Sequence, residues 1–154
     1  MDQLTRRCLL TVSLLLAVAV AHAGDWLLPL GGRQQFTVAI AARGTQLTGL
    51  CIVRTDADGS SRGTVVNEFG IHALDFTLTA DRRRLRLHNV MPWMDRWYIR
   101  RVVRRDLQRL FAATAAGDLG HRRRLSVEAD GTVVLENEKY NLKYSFKQSD
   151  DTEE

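Results

Sequence analysis

Ile71-His72-Ala73-Leu74-Asp75-Phe76-Thr77-Leu78-Thr79 is the stretch that decides the fold class. Large apolar residues recur at every second position, at Leu74, Phe76 and Leu78. Successive side chains of an extended chain point to opposite faces, so this period predicts a strand with one buried face. On that reading His72, Leu74, Phe76 and Leu78 share the inner face, and Ala73, Asp75 and Thr77 the outer one. Working outward, Gly70 interrupts the chain before it, and Asp81-Arg82 turn it after. Arg84 to Val90 repeats the pattern, with Leu85 and Leu87 inward and Arg84, Arg86 and His88 outward.

The same alternation runs upstream. Arg62 to Phe69 reads as a strand, behind a polar turn cluster at Asp56 to Ser61. Leu47 to Arg54 is another, and Phe36, Val38 and Ile40 alternate in the first. Arg43-Gly44 is the turn between these two. Gly24 to Gly32 is an apolar entry segment ended by a glycine pair. Five short strands with tight turns predict an antiparallel meander.

Downstream the period changes. Pro92 ends the fifth strand, and Asp95 is placed to cap a helix running to about Ala116, with Gly117 as its stop. Ile99, Val102, Val103, Leu107, Leu110 and Phe111 recur at spacings of three and four, forming one apolar stripe. Arg100, Arg101, Arg104, Arg105, Gln108 and Arg109 fill much of the rest. Three more strands follow at Arg124 to Glu128, Thr132 to Asn137 and Leu142 to Phe146, with Asp130-Gly131 predicting a two-residue hairpin between the first two. The expected fold is mainly β, of the α+β class. It is a curled antiparallel sheet of about eight strands, an incomplete barrel covered by one amphipathic helix. Such a sheet encloses either a packed core or an apolar cavity.

The chain begins with the three parts of an export signal: Arg6 and Arg7, the apolar run Leu9 to Val20, and a small-x-small site at Ala21-His22-Ala23. Residues 1–23 are therefore expected to be a signal peptide. A single domain over 24–148 and an acidic tail over 149–154 complete the expected organisation. Removing residues 1–23 leaves 131 of the 154 residues, with Cys51 as the one cysteine and no disulfide possible within the chain. The net charge is +4, but Arg82 to Arg109 alone holds ten arginines against Asp95 and Asp106.

No nucleophile elbow, zinc-protease helix or phosphate loop is present. The histidines are scattered, so no metal site is expected, and no cofactor. An enzymatic reading would need Glu68 and Asp75 as a carboxylate pair, with His72 beside them. The simpler reading of Asn67-Glu68-Phe69-Gly70 is a strand-to-strand corner, with Gly70 supplying the backbone angle and Phe69 packing with Phe76. The arginine face of the helix suits solvent or an anionic lipid surface, and export argues against nucleic acid as the partner. Trp93, Trp97 and Tyr98 at the helix start suit either a core or a membrane interface.

The meander, the Asn67-Glu68-Phe69-Gly70 corner leading into Leu74-Asp75-Phe76, and one helix before closing strands resemble the LolA/LolB-like lipoprotein-localisation proteins of the Gram-negative envelope. The resemblance covers about residues 33–148. It implies an incomplete barrel with a helical lid over an apolar cavity, non-covalent carriage or reception of acyl chains, and no catalytic residue. This chain has room for one long helix where the family usually has more. Receptor members carry an apolar residue on a hairpin tip, whereas the comparable Asp56 to Ser61 hairpin is polar here.

The expected ligand wall is Phe36, Val38, Ile40, Leu74, Phe76, Leu78, Val103 and Leu107. The expected membrane or partner surface is Arg100, Arg101, Arg104, Arg105 and Trp97. The expected protein is a monomeric, non-enzymatic periplasmic lipid or acyl-chain binder, associated with the outer membrane. The competing expectation is an envelope scaffold that binds another protein through the basic helix.

Overall fold

The computed structural model describes residues 26–149; the expected signal peptide and most of the acidic tail lie outside them. The strands are β1 (Arg33–Ala42), β2 (Thr45–Thr55), β3 (Ser61–Asn67), β4 (His72–Leu78) and β5 (Leu85–His88). The helix α1 (Trp97–Ala112) follows, then β6 (Gly117–Gly120), β7 (Arg123–Val127), β8 (Val133–Asn137) and β9 (Leu142–Gln148). All nine strands form one antiparallel sheet in the order β5-β4-β3-β2-β1-β9-β8-β7-β6. The last strand pairs with the first, Leu142 opposite Ala42. The sheet is a curled, unclosed barrel with one strand, β6, beyond the eight expected.

The helix joins the two free edges. Arg100 donates to the Leu87 carbonyl of edge strand β5 at 3.2 Å, and Arg109 donates to the Leu119 carbonyl of edge strand β6 at 2.9 Å. A sheet edge presents unpaired backbone groups, and a helix laid across the gap covers them. Val103, Leu107, Leu110 and Phe111 face inward from α1. Phe111 is the plug: its ring lies 5.3 Å from Phe76 of β4 and 5.7 Å from Phe146 of β9.

Both helix ends differ from expectation. The helix starts at Trp97 without a side-chain cap, and the Asp95 carboxylate instead accepts from Arg100 at 2.9 Å. It stops at Ala112, not near Gly117. Its last carbonyls find tertiary partners: Arg82 Nη1 donates to Phe111 O at 2.8 Å, and Leu27 N donates to Ala113 O at 3.0 Å. Those bonds satisfy groups that another helical turn would otherwise use. Arg82 also donates to Leu28 O at 2.8 Å and stacks 3.8 Å over the Trp26 ring. Burial pulls its pKa down to about 10, so it remains a cation at neutral pH.

Three local expectations change as well. A bulge between Val65 and Val66 puts Leu74 opposite Val65 and His72 opposite Val66, leaving Ala73 as the extra residue. One inserted residue reverses the facing that follows. Ala73 is therefore buried and His72 exposed. Phe69 does not pack with Phe76; it is 79% exposed at the tip of the β3–β4 turn. Asp130-Gly131 is part of a longer turn, closed by Glu128 N to Thr132 O at 2.8 Å, with Gly131 at φ +87°. The Asp56 to Ser60 turn has the same form, with Gly59 at φ +86°. In both, the aspartate before the glycine accepts the backbone N–H two residues on, at 3.0 Å.

Strand alternation sorts the turns into two ends. The β1–β2, β3–β4, β6–β7 and β8–β9 turns and the β5–α1 connection share one end, the mouth. The Trp26–Leu30 segment, Arg82 and the end of α1 close the other.

Candidate functional site

A groove of about 1400 Å³ runs along α1 at the mouth. One wall is α1 and the segment before it, from Trp93 to Arg109. The other is made by the β1–β2 hairpin, Leu142 of β9, and the β6–β7 and β8–β9 turns. Its apolar surface comes from Ile40, Leu47, Met94, Ile99, Val102, Val103 and Leu142. Its charges are all of one sign: Arg43, Arg101, Arg105, Arg109, Arg122, Arg123 and Lys139, with no carboxylate among the lining residues. A concave, largely apolar site with a few convergent polar groups is the usual form of a small-ligand site.

The eight residues expected as a ligand wall divide between two places. Ile40 and Val103 line the groove. Phe36, Val38, Leu74, Phe76, Leu78 and Leu107 lie in the packed interior, each at most 2% exposed. Phe111 fills the space they surround, so the accessible volume is displaced to the mouth. The arginines divide too. Arg105 reaches the groove, Arg100 and Arg104 line a smaller cleft of about 630 Å³ toward β5 with Arg86 and His88, and Arg101 borders both. Trp97 borders both and is 76% exposed.

Beneath the groove is a buried polar cluster. Asp106, fully buried on the inner face of α1, accepts from Arg123 Nε of β7, from Asn137 Nδ2 of β8 at 3.0 Å and from Tyr144 Oη of β9 at 2.7 Å. Burial, and then the Asp106 charge, hold the Tyr144 phenol well above its ordinary pKa. Burial lowers the pKa of Arg109, followed by repulsion from Arg123; Asp106 opposes, and Arg105 adds a smaller repulsion. Positive charge at this place thus exceeds what the one carboxylate offsets.

Two of the groove arginines sit on unusual backbone. Arg43-Gly44 joins Ala42 to its partner Thr45, with φ of +44° and +85°. His121-Arg122 joins Gly120 to its partner Arg123, with φ of +51° and +58°. Two-residue hairpins with both φ positive favour glycine and asparagine. A non-glycine residue there carries a cost of order 1 kcal/mol.

The mouth also gathers exposed apolar residues. Among the described residues seven large hydrophobics are exposed, and six of them, Phe69, Ile71, Trp93, Trp97, Tyr98 and Tyr140, are at this end; Val127 is at the other. The polar Asp56 to Ser61 hairpin points to the far end, so the apolar hairpin tip is the Phe69–Ile71 turn. That corner is built as expected in other respects. Asn67 Oδ1 accepts from Phe69 N at 3.0 Å and Ile71 N at 2.8 Å, and Gly70 has φ +74°.

Glu68 and Asp75 have separate partners. Glu68 accepts from Thr48 at 3.2 Å. Asp75 is bonded to Thr64 at 2.8 Å, His72 at 2.7 Å and Asn89 at 2.9 Å. Among the described residues, no three His, Cys, Asp or Glu side chains gather to hold a metal, and no helix is long and apolar enough to cross a membrane.

Sequence reasoning missed Asp106, although a carboxylate flanked by Val103, Leu107 and Leu110 at helical spacing was the available signal. It also missed Arg43, Arg122 and Lys139, which carry no such signal because three separate turns bring them together. No protein-family model matches the sequence, and no curated protein does.

Proposed function

We propose that this protein binds acyl chains of lipid or lipoprotein non-covalently in the mouth groove, with the mouth against an anionic membrane surface. The observation that carries the reading is positional: the groove opens where six of the seven exposed large hydrophobics among the described residues collect. Chain methylenes would be buried against Ile40, Leu47, Ile99, Val102 and Leu142, each worth about 0.8 kcal/mol. Indole and phenol rings suit the headgroup level of a bilayer, and arginines suit its charge. No covalent step is required. The sequence resemblance to lipoprotein-localisation proteins and the expected export signal at residues 1–23 support a periplasmic setting, at the outer membrane, for this activity.

The test is mass spectrometry of lipids that co-purify with the exported protein, beside displacement of a fluorescent fatty-acyl probe. Co-purified acyl lipids and displacement are the expected results. An empty protein that displaces nothing, yet captures an envelope protein through α1, would establish the scaffold reading instead.

A further inference from the structure

We infer that the groove takes an amphiphile with an anionic head, a phosphate or carboxylate held by Arg105, Arg109, Arg122 and Lys139. This rests on acyl-chain binding in the groove and adds the chemistry of the head. Three segments bring these cations together. Arg105 and Arg109 lie one turn apart on α1. Arg122 is in the β6–β7 turn, and its carbonyl accepts Glu138 N at 2.9 Å from the β8–β9 turn, directly before Lys139.

The charge is only partly offset within the protein: Asp106 opposes the repulsion at Arg109 but does not outweigh Arg123. Among the described residues, no ion pair engages Arg43, Arg101, Arg105, Arg109, Arg122 or Lys139. Asp106 makes no bond to them, because it is fully buried and both its oxygens are occupied by Arg123, Asn137 and Tyr144. Glu138 flanks the cluster but does not line the groove. Guanidinium forks match phosphate and carboxylate oxygens, and charge-assisted bonds are the stronger kind. An anion at this place would relieve repulsion that the fold leaves standing.

The backbone of Arg122 is a second, independent observation. It holds a left-handed conformation that glycine or asparagine adopts at less cost, and so does Arg43 across the groove. Stability alone would favour glycine at both positions. A long cation nevertheless stands at both tips, at the rim of the groove, where a ligand contact would offset the backbone cost.

The experiment compares dodecyl phosphate, dodecyl maltoside and inorganic phosphate by calorimetry, each amphiphile below its micelle concentration. The wild type is expected to bind dodecyl phosphate at least tenfold more tightly than the maltoside, and inorganic phosphate more weakly than either amphiphile. Arg122→Gly combined with Arg105→Gln should reduce that preference to less than threefold, mainly by weakening dodecyl phosphate binding, and not lower Tm. Equal binding of the two amphiphiles by the wild type would overturn the head-group inference and leave acyl binding intact. So would inorganic phosphate binding as tightly as dodecyl phosphate, which would show a plain anion site. Binding of none of the three would overturn the acyl-chain reading and this inference together.

Discussion

The Tyr144 hydroxyl donates to Asp106 at 2.7 Å, tying the inner face of α1 to the middle of the sheet. With Arg123 and Asn137 this bond fixes the helix over β7, β8 and β9, and so fixes one wall of the groove. Removing Asp106 leaves Arg123 buried without a counter-charge. Asp106→Ala is expected to cost about 3–5 kcal/mol, and Tyr144→Phe about 1–2 kcal/mol. Asp106→Leu with Arg123→Met should recover most of the first loss. Urea denaturation of the three variants checks the order; a mild Asp106→Ala would show that the cluster is dispensable.

Glycine positions separate close packing from backbone angle. A Cβ on Gly63 would lie 2.1 Å from Cζ of Phe76, whereas one on Gly70 meets nothing within 4 Å. Gly63→Ala must displace a core ring and should cost about 1–3 kcal/mol. Gly70→Ala carries only the cost of its positive φ, about 1 kcal/mol. Thermal melts of both should rank Gly63→Ala as the worse; the reverse order would mean the β3–β4 turn has contacts beyond its backbone.

Acid should weaken the fold partly through Asp75. Burial raises its pKa, but bonds from Asn89, His72 and Thr64 outweigh it, and the pKa is lowered. A depressed carboxylate contributes stability that is present above its unfolded value of about 3.9 and lost as pH falls through the folded one. Asp75→Asn should therefore lower stability in the neutral region and flatten the curve below about pH 4, where the variant and the wild type converge. At the other end Tyr144 is raised, so its contribution holds below about pH 10 and declines above it. Tyr144→Phe should remove that alkaline decline. Denaturation midpoints at a series of pH values measure both limbs.

Steric blocks distinguish groove from core. Val102 is half-buried on the groove wall, and Leu107 is fully packed. Val102→Trp should abolish acyl-probe displacement with Tm nearly unchanged. Leu107→Trp should instead destabilise the protein by about 1–3 kcal/mol through overpacking. Probe displacement that survives Val102→Trp would move the ligand out of this groove.

Membrane contact should be salt-sensitive and aromatic-dependent. Arg101→Glu with Arg105→Glu reverses four units of charge at the mouth. At about 1 kcal/mol per basic residue near an anionic surface, it should weaken vesicle binding by several kcal/mol. Trp97→Ser and Phe69→Ser should also weaken it, while changing stability by less than about 0.5 kcal/mol because both side chains are exposed. Co-sedimentation with anionic vesicles at low and high salt reads both effects. Binding indifferent to salt and to Trp97 would leave the mouth without this role.

Local physics made much of the fold legible in the sequence. Phe36-Val38-Ile40 and Leu74-Phe76-Leu78 alternate at the strand period, and both sets are buried as expected. The stripe Val103, Leu107, Leu110 and Phe111 meets the helix period and faces the sheet. Those signals are short-range, because side-chain direction follows from backbone geometry alone. The extra residue at Ala73 is set by the register of β3 against β4, so the facing of His72 could not be read from β4 by itself. Gly117–Gly120 becomes a strand only because β7 offers a ladder to pair with. Asp106 looks like one more helix charge until Arg123, Asn137 and Tyr144 arrive from three strands distant in sequence.

The candidate site divides in the same way. The sequence by itself determined that an arginine-rich helix with aromatic residues at its start would cover the sheet. Only the tertiary structure decided where empty space remains, because the ring of Phe111 takes the centre and leaves the mouth open. It also decided which cations meet. Arg43, Arg105, Arg122 and Lys139 lie on four elements, and their convergence depends on chain-long strand order, which no local pattern encodes.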